Sequence, residues 1–304
     1  MFEEGAVACE PRDVFVSLPN TGIYFGGRFG IEISFPLPFP SKVSTYLDDH
    51  FSLDGQTAVV IGATGELGGQ IAEGLCRAGA DTVIVGRDRE TGEDRAEEFS
   101  GHDEAGEAVF VSCDTTERGD LEALRDEVDA RFGRLDVLVN GAGVNSATPF
   151  LKIDEEEWDH IMNVNLKGVF LSCQVFGEYL LDQGEGGAII NVSSMAGITP
   201  LSRVFTYAAS KAGLINLTKN LAREWAPEGI RVNALAPGFF PAEQNREILS
   251  EERISDIMGH TPAGRFGDPE ELVGAALLLA SGRAGSFVTG TNLPVDGGYS
   301  AMTI

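Results

Sequence analysis

Tyr207 and Lys211 stand four positions apart in the stretch "TYAASKAGL" (Thr206 to Leu214), in a chain that uses only five lysines. On a helix, side chains at i and i+4 share one face with Cβ atoms about 5–6 Å apart, so the ammonium can lie beside the phenol. A free tyrosine titrates near pH 10, and an adjacent cation lowers such a value by roughly 1–3 units, towards the range where proton transfer at neutral pH becomes efficient. The pair therefore has the composition of a general acid and base. The spacing alone decides nothing, because an interface tyrosine beside a solvated lysine gives the same pattern.

A second group of chemistry-bearing residues follows the first apolar run, in "IGATGELGGQIAEGLCRAGA". Gly62, Gly65, Gly68 and Gly69 occupy a strand-to-helix turn, where a backbone without Cβ can approach a pyrophosphate held at the helix N-terminus. A glycine-rich turn is a weak signal by itself. With a strand before it and a helix after it, inside a βαβ unit, it predicts dinucleotide binding. The next apolar run ends "VIVGRDRE", with Gly86 and Arg87 where a ribose-binding acid is expected and Asp88 one position late. An arginine there suits a 2′-phosphate, so NADP(H) is expected over NAD(H).

The elements that must hold these groups are legible along the chain from Phe51. Short β-branched runs, "TAVVI", "TVIV", "AVFVS", "DVLVN", "AIINVS" and "IRVNALA", are each followed by a longer amphipathic segment, with a last strand near "GTNLPV". This alternation predicts an α/β fold, a single doubly wound Rossmann-type domain over residues 51–304 with a parallel sheet covered by helices on both faces. Residues 1–50 differ. They include "LPNTGIYFGGRFGIEISFPLPFPSK", rich in Phe, Pro and Gly without sustained periodicity, and read as an N-terminal extension with no assigned chemistry.

Composition excludes several classes of function. The chain of 304 residues carries 47 acidic and 22 basic residues, a formal charge of −25, which repels nucleic acid and anionic membranes. Self-repulsion of this size is tolerable where salt screens it, since the Debye length falls from about 10 Å at 0.1 M to about 3 Å at 1 M, so a salt-loving host is one reading and an ordinary acidic protein the other. No run of eighteen uncharged apolar residues occurs, and the opening "MFEEGAVACE" is acidic where a secretory signal is basic, which points to a soluble cytoplasmic protein. Cys9, Cys76, Cys113 and Cys173 form no framework spacing, and the four histidines are isolated, so neither disulfides nor a metal cluster is expected.

The glycine-rich turn, "VNGAG" (Asn140 to Gly143 within it), "NVNLKGVF" with Asn165, "NVSSMAG" with Ser194, "YAASK", "RVNALAPG" and "PVDGG" together resemble, in order and spacing, the short-chain dehydrogenase/reductase superfamily over about residues 51–304. Ser194 lies thirteen residues before Tyr207, as the pattern requires. The resemblance implies a seven-stranded sheet and a hydride-transferring oxidoreductase. It implies that Tyr207 exchanges a proton with the substrate oxygen, that Ser194 hydrogen-bonds that oxygen, that Lys211 tunes Tyr207 and holds the nicotinamide ribose, and that Asn165 anchors a helix interior and a water leading to Lys211. By the same resemblance Asp114 contacts the adenine, Asn140 fixes the turn beneath it, Pro237 and Gly238 border the nicotinamide, and the chain assembles as a homotetramer through its segments around 155–183 and 206–226. The C-terminal half is most similar to the mannonate (fructuronate) oxidoreductase branch and related sugar-acid and polyol dehydrogenases. Departures from the superfamily pattern are Ile61 in place of a threonine, Glu66 at the middle glycine, "NGAG" for "NNAG", and Ala242 where a threonine often contacts the carboxamide.

The loop between Ser194 and Tyr207, "MAGITPLSRVFT", holds one charge, Arg203. An arginine fork suits a carboxylate, so a small anionic substrate, a sugar acid, is expected there, with Gln244, Asn245 and Arg246 closing over its hydroxyls. Neutral polyols, sugars or 3-oxoacyl compounds are the alternative substrates. Two other classes fit less well. An extended-branch sugar-nucleotide epimerase needs a larger substrate domain than the 93 residues after Lys211, and a nucleotide sensor without activity has no need of both the tyrosine and the lysine.

Overall fold

The computed structural model describes residues 43–240 and 250–302. Seven strands, β1 (Thr57–Ile61), β2 (Asp81–Gly86), β3 (Ala108–Ser112), β4 (Val137–Asn140), β5 (Gly187–Val192), β6 (Ile230–Pro237) and β7 (Asn292–Val295), form one sheet in the order β3-β2-β1-β4-β5-β6-β7. Every pairing is parallel. Each β-branched run in the sequence is one of these strands, and the doubly wound parallel fold expected from their alternation with helices is the fold observed.

Parallel neighbours need long crossovers, and here helices supply them: α2 (Glu66–Arg77), α3 (Arg89–Ser100), α4 (Arg118–Phe132), α5 (Glu155–Met162), α6 (Gly168–Gln183), α7 (Phe205–Trp225), α8 (Glu251–His260) and α9 (Val273–Ala280), preceded by α1 (Val43–Phe51). The period of two along β1 divides the core. Ala58 and Val60 pack with Ile71 and Leu75 of α2 and Leu279 of α9, whereas Val59 and Ile61 face Leu121 and Leu124 of α4 and Phe176 of α6. All five residues of β1 are buried because both faces are covered.

Two compact units are distinguished, Met1–Tyr46 and Leu47–Ile304, and the second contains the sheet and its helices. Of the first, only the opening turn of α1 is described. The boundary expected between residues 50 and 51 falls inside α1. Within the larger unit the Ser281 hydroxyl donates to the His50 carbonyl at 2.5 Å, and Leu53 is fully buried.

β1 lies between β2 and β4, so the strand order reverses there. Loops leaving the two C-terminal strand ends run to opposite sides and open a crevice, the place where ligands bind in sheets of this kind. No helix among the described residues is long and apolar enough to cross a membrane.

Candidate active site

The crevice at the strand reversal is built on the glycine-rich turn. Gly62 adopts φ +83°, and a Cβ there would lie 2.5 Å from the backbone nitrogen of Ala142, so only glycine lets the turn after β1 cross the loop after β4. A Cβ on Gly68 would lie 2.3 Å from the Gly62 carbonyl oxygen, so the bare backbone lets α2 seat directly on the turn. Gly65 caps α2 without a side-chain hydrogen bond, which leaves first-turn N–H groups for another acceptor. The resulting cavity, about 380 Å³, is lined by Gly62, Thr64, Gly65, Arg87, Asp114 and Gly143 among others.

From beneath the turn, Arg95 of α3 donates to the carbonyls of Ala63 and Gly65, the latter at 2.7 Å. Burial pushes its guanidinium below the ordinary arginine value. Arg87 is exposed at the cavity wall. Its neighbour Asp88 is the N-cap of α3 and is engaged by Thr91, which donates its N–H at 3.3 Å and its hydroxyl at 2.7 Å, holding the carboxyl below the usual range. Asp114 accepts from the Thr116 N–H at 3.0 Å and its hydroxyl at 2.8 Å, and these bonds, with Arg87 nearby, lower its pKa too.

Asn140 does not face this cavity. Its amide donates to Asn191 Oδ1 at 2.9 Å and its carbonyl accepts from Ser172 Oγ at 2.7 Å, in a buried network that Asn191 extends to Thr218 at 2.9 Å. It braces β4, β5, α6 and α7 against one another. The Asn140 side chain is thus held in the core, and the backbone that follows it, Gly141 to Val144, lines the cavity.

Beyond the crevice, Ser194 ends the β5 loop as the N-cap of the 3₁₀ turn Met195–Gly197, its Oγ accepting from the Ala196 N–H at 3.1 Å. Tyr207, in the first turn of α7, faces the same cavity close enough for the Ser194 hydroxyl to influence its titration. Lys211 follows one turn later, 3% exposed, with Nζ donating to the Val192 carbonyl at 2.8 Å and 5.6 Å from the Tyr207 ring centroid. Burial without a carboxylate partner lowers the lysine to about 8. Burial also raises Tyr207 above the ordinary phenol, with the Ser194 hydroxyl pulling the other way. The acidified tyrosine expected from the four-residue spacing is thus not found in the protein alone: desolvation outweighs the cation, whose hydrogen bond goes to the backbone.

Asn165 is fully buried in a π-helical turn, Asn163–Lys167, that joins α5 to α6. Such single wide turns recur at functional sites. The Asn165 amide holds Val144 by both backbone groups, accepting from its N–H and donating to its carbonyl at 2.8 Å each, and reaches Ser210 at 3.2 Å. A Cβ on Gly143 would lie 3.4 Å from both Asn165 Oδ1 and Lys211 Nζ, so the chain passes between crevice and catalytic pair with no room to spare.

Ser194 and Tyr207 open onto a second cavity of about 880 Å³, to which Gly238 contributes and whose outer wall includes Arg203 and Arg253. Arg203 sits at φ +68°, a left-handed conformation rare for a side chain of its size. Pro237 closes β6 in register with Val295 and does not line either cavity. Gln244, Asn245 and Arg246 lie outside the described residues.

Residues 62–300 match the family described as enoyl-(acyl carrier protein) reductase. The chain is 37% identical to the 2-dehydro-3-deoxy-D-gluconate 5-dehydrogenase of Escherichia coli, over 83% of this chain and 98% of the relative, and 37% identical to the D-threitol dehydrogenase of Mycolicibacterium smegmatis, over 84% and 96%. A crystal structure of a gluconate 5-dehydrogenase from Burkholderia cenocepacia, in complex with NADP and tartrate, superposes with TM-score 0.79 at 37% identity, over 84% of this chain and all of that one. The chain belongs to the short-chain dehydrogenase/reductase superfamily. It is an oxidoreductase of the dehydrogenase class.

Against the superfamily pattern, this short-chain dehydrogenase/reductase keeps the turn geometry while changing residues within it. Glu66, at the usual middle glycine, is exposed as the first residue of α2, where an acidic side chain complements the helix dipole. Thr64, Arg95 and Arg253 were not singled out from sequence. Thr64 had a local cue in the turn itself. Arg95 and Arg253 sit in polar helices with nothing nearby to mark them.

Proposed function

We propose that this chain interconverts a secondary alcohol and a ketone on a sugar acid of five or six carbons, with NADP(H) preferred over NAD(H). The observation that carries the reading is the meeting of Ser194, Tyr207 and Lys211 between a crevice floored by the glycine-rich turn and a cavity bearing guanidinium groups. The crevice fits the cofactor: bare glycine backbone at Gly62 and Gly65, uncapped N–H groups at α2, and Arg87 exposed beside an Asp88 that is already engaged. Gly62, Gly65 and Gly68 would serve the pyrophosphate, Arg87 the 2′-phosphate, Asp114 the adenine end, and Lys211 and Gly238 the nicotinamide end. The bound nicotinamide supplies or takes up hydride at its C4.

The chain's own residues handle the proton. In reduction Tyr207, held as a phenol by its raised pKa, donates to the carbonyl oxygen, while the Ser194 hydroxyl bonds the same oxygen as negative charge develops. Lys211 stabilises the resulting phenolate by its charge. In oxidation the phenolate takes the alcohol proton. Asn165 fixes Val144 and so keeps the 143–145 backbone between the two cavities.

The relatives that act on gluconate-type acids, and the tartrate bound to one structural neighbour, support an acidic substrate. Within that class mannonate and its ketone fructuronate are the finer assignment, with gluconate and 2-dehydro-3-deoxygluconate as close analogues. The D-threitol dehydrogenase relative favours a neutral polyol as the second reading. A spectrophotometric screen of sugar acids and polyols with NADP and NAD separates them: turnover of polyols alone rejects the acid, and no turnover of either rejects the function.

We propose further that the enzyme works in the cytoplasm as a homotetramer, with an acidic surface that suits a salt-rich interior. Support for assembly comes from a groove of about 950 Å³ over α5, α6 and α7, where Met162, Leu166, Phe170 and Leu217 form an apolar floor larger than one covered helix face requires.

A further inference from the structure

The cavity at Ser194 and Tyr207 receives one wall from the loop that precedes α7 and another from the first turns of α8. Each wall carries a guanidinium. Arg203, on the loop, is exposed, whereas Arg253, on α8, is half-buried. Arg253 reaches across towards the loop, its Nη1 donating to Ser202 Oγ at 3.4 Å, a long bond that leaves most of a five-donor fork available. No described carboxylate lies within ion-pair distance of Arg253. Two acids share its wall, Glu252 and Asp256, but both are exposed. Water and salt screen charges at that rim far more than a half-buried one, so an incoming carboxylate is drawn to Arg253 more strongly than the rim repels it.

We propose that Arg253 is the specificity-determining residue of this site, pairing its guanidinium fork with the substrate carboxylate while Arg203 acts from outside as a weaker electrostatic guide. The inference rests on the sugar-acid reading and adds to it the group that selects the acid. With the reacting carbon at Tyr207 and the carboxylate at Arg253, the two ends of one cavity fix how the acid lies, and hence which hydroxyl is presented for oxidation.

The test uses the full chain with NADP, comparing wild type, Arg253→Ala, Arg253→Lys and Arg203→Ala. Kinetics with gluconate and with sorbitol, and calorimetric binding of gluconate and of tartrate to the NADP complex, are the readouts. Arg253→Ala should lower the gluconate-to-sorbitol ratio of kcat/KM by roughly 10–100-fold, chiefly through KM, and weaken gluconate binding by a similar factor. Arg253→Lys should recover only part, since an ammonium lacks the planar fork. Arg203→Ala should have the smaller effect, and KM for NADP should stay within about twofold in all three. An unchanged acid-to-polyol ratio and unchanged gluconate affinity in both Arg253 variants would overturn the assignment, as would a larger effect from Arg203→Ala or a wild type that binds neither acid. If wild type binds gluconate through Arg253 but turns over no sugar acid, the pairing stands and the proposed reaction falls. Arg253→Lys, which keeps the charge and length, guards against loss of folding in the alanine variant.

Discussion

At the scale of single residues, the active-site pair behaves as a buried, desolvated unit. Tyr207→Phe removes the proton donor and keeps the ring, so NADP affinity should persist while turnover falls roughly 10²–10⁴-fold. Turnover within threefold of wild type would remove Tyr207 from the mechanism. Lys211 makes a second prediction through pH. Its folded value is about 8 against an ordinary 10.5, so the folded state bears the cost of a buried ammonium at every pH below about 8. Above that the folded protein loses the proton while the unfolded chain keeps it, and stability rises with pH until both forms are neutral. Lys211→Met should therefore stabilise the cofactor-free protein by about 1–3 kcal/mol at pH 7, less the hydrogen bond lost at Val192, while abolishing turnover. The difference in urea midpoint between variant and wild type should shrink steadily from pH 8 to pH 10. A gap constant over that range would mean that Lys211 is not desolvated.

At the scale of elements, the loop from β2 into α3 presents Arg87 at the crevice wall, and α3 itself carries the Arg95 brace. Arg87→Ala should raise KM for NADP by about tenfold or more and leave that for NAD nearly unchanged, because only the phosphorylated ribose offers a partner charge. Equal effects would make Arg87 a bystander. The strands and the Tyr207–Lys211 helix were legible in the sequence, since β-branched runs and a four-residue spacing are local patterns that the chain expresses without help. Arg95 and Arg253 were not. Each acts on a segment 30 or 51 positions away, and its helix reads as an ordinary charged surface helix until the fold brings the two together. For Asn140 the place at a strand end is readable in the sequence, whereas the partners of its amide, Ser172 and Asn191, are brought beside it by packing. The four-residue spacing reports the cation beside Tyr207 but not the desolvation that raises its pKa.

At the scale of the whole molecule, a formal charge of −25 and an apolar groove over α5 to α7 would act against each other in the proposed assembly. Bringing like-charged copies together is costly in dilute salt, and screening over about 3 Å in molar salt relieves that cost while leaving apolar burial intact. Raising KCl from about 0.1 M to 2 M should shift light-scattering mass towards the tetramer and raise the urea midpoint. A monomer at both concentrations would reject the assembly, and a flat midpoint would reject the salt dependence.

The single reversal of strand order between β1 and β4 has a consequence for how this enzyme can change. Strands β1 to β3 lead into the walls of the nucleotide crevice, while the loops after β5 and β6 lead into the walls of the substrate cavity, and the two regions meet along the short backbone passage at Gly143 to Asn145. On the proposed function, selectivity for the cofactor and selectivity for the substrate would therefore lie in separate stretches of sequence. On that reading, changes within 81–95 would alter the nucleotide preference without touching Ser194, Tyr207 or Lys211, whereas changes within 198–204 would fall on the loop that joins Ser194 to Tyr207 and would have to preserve their approach.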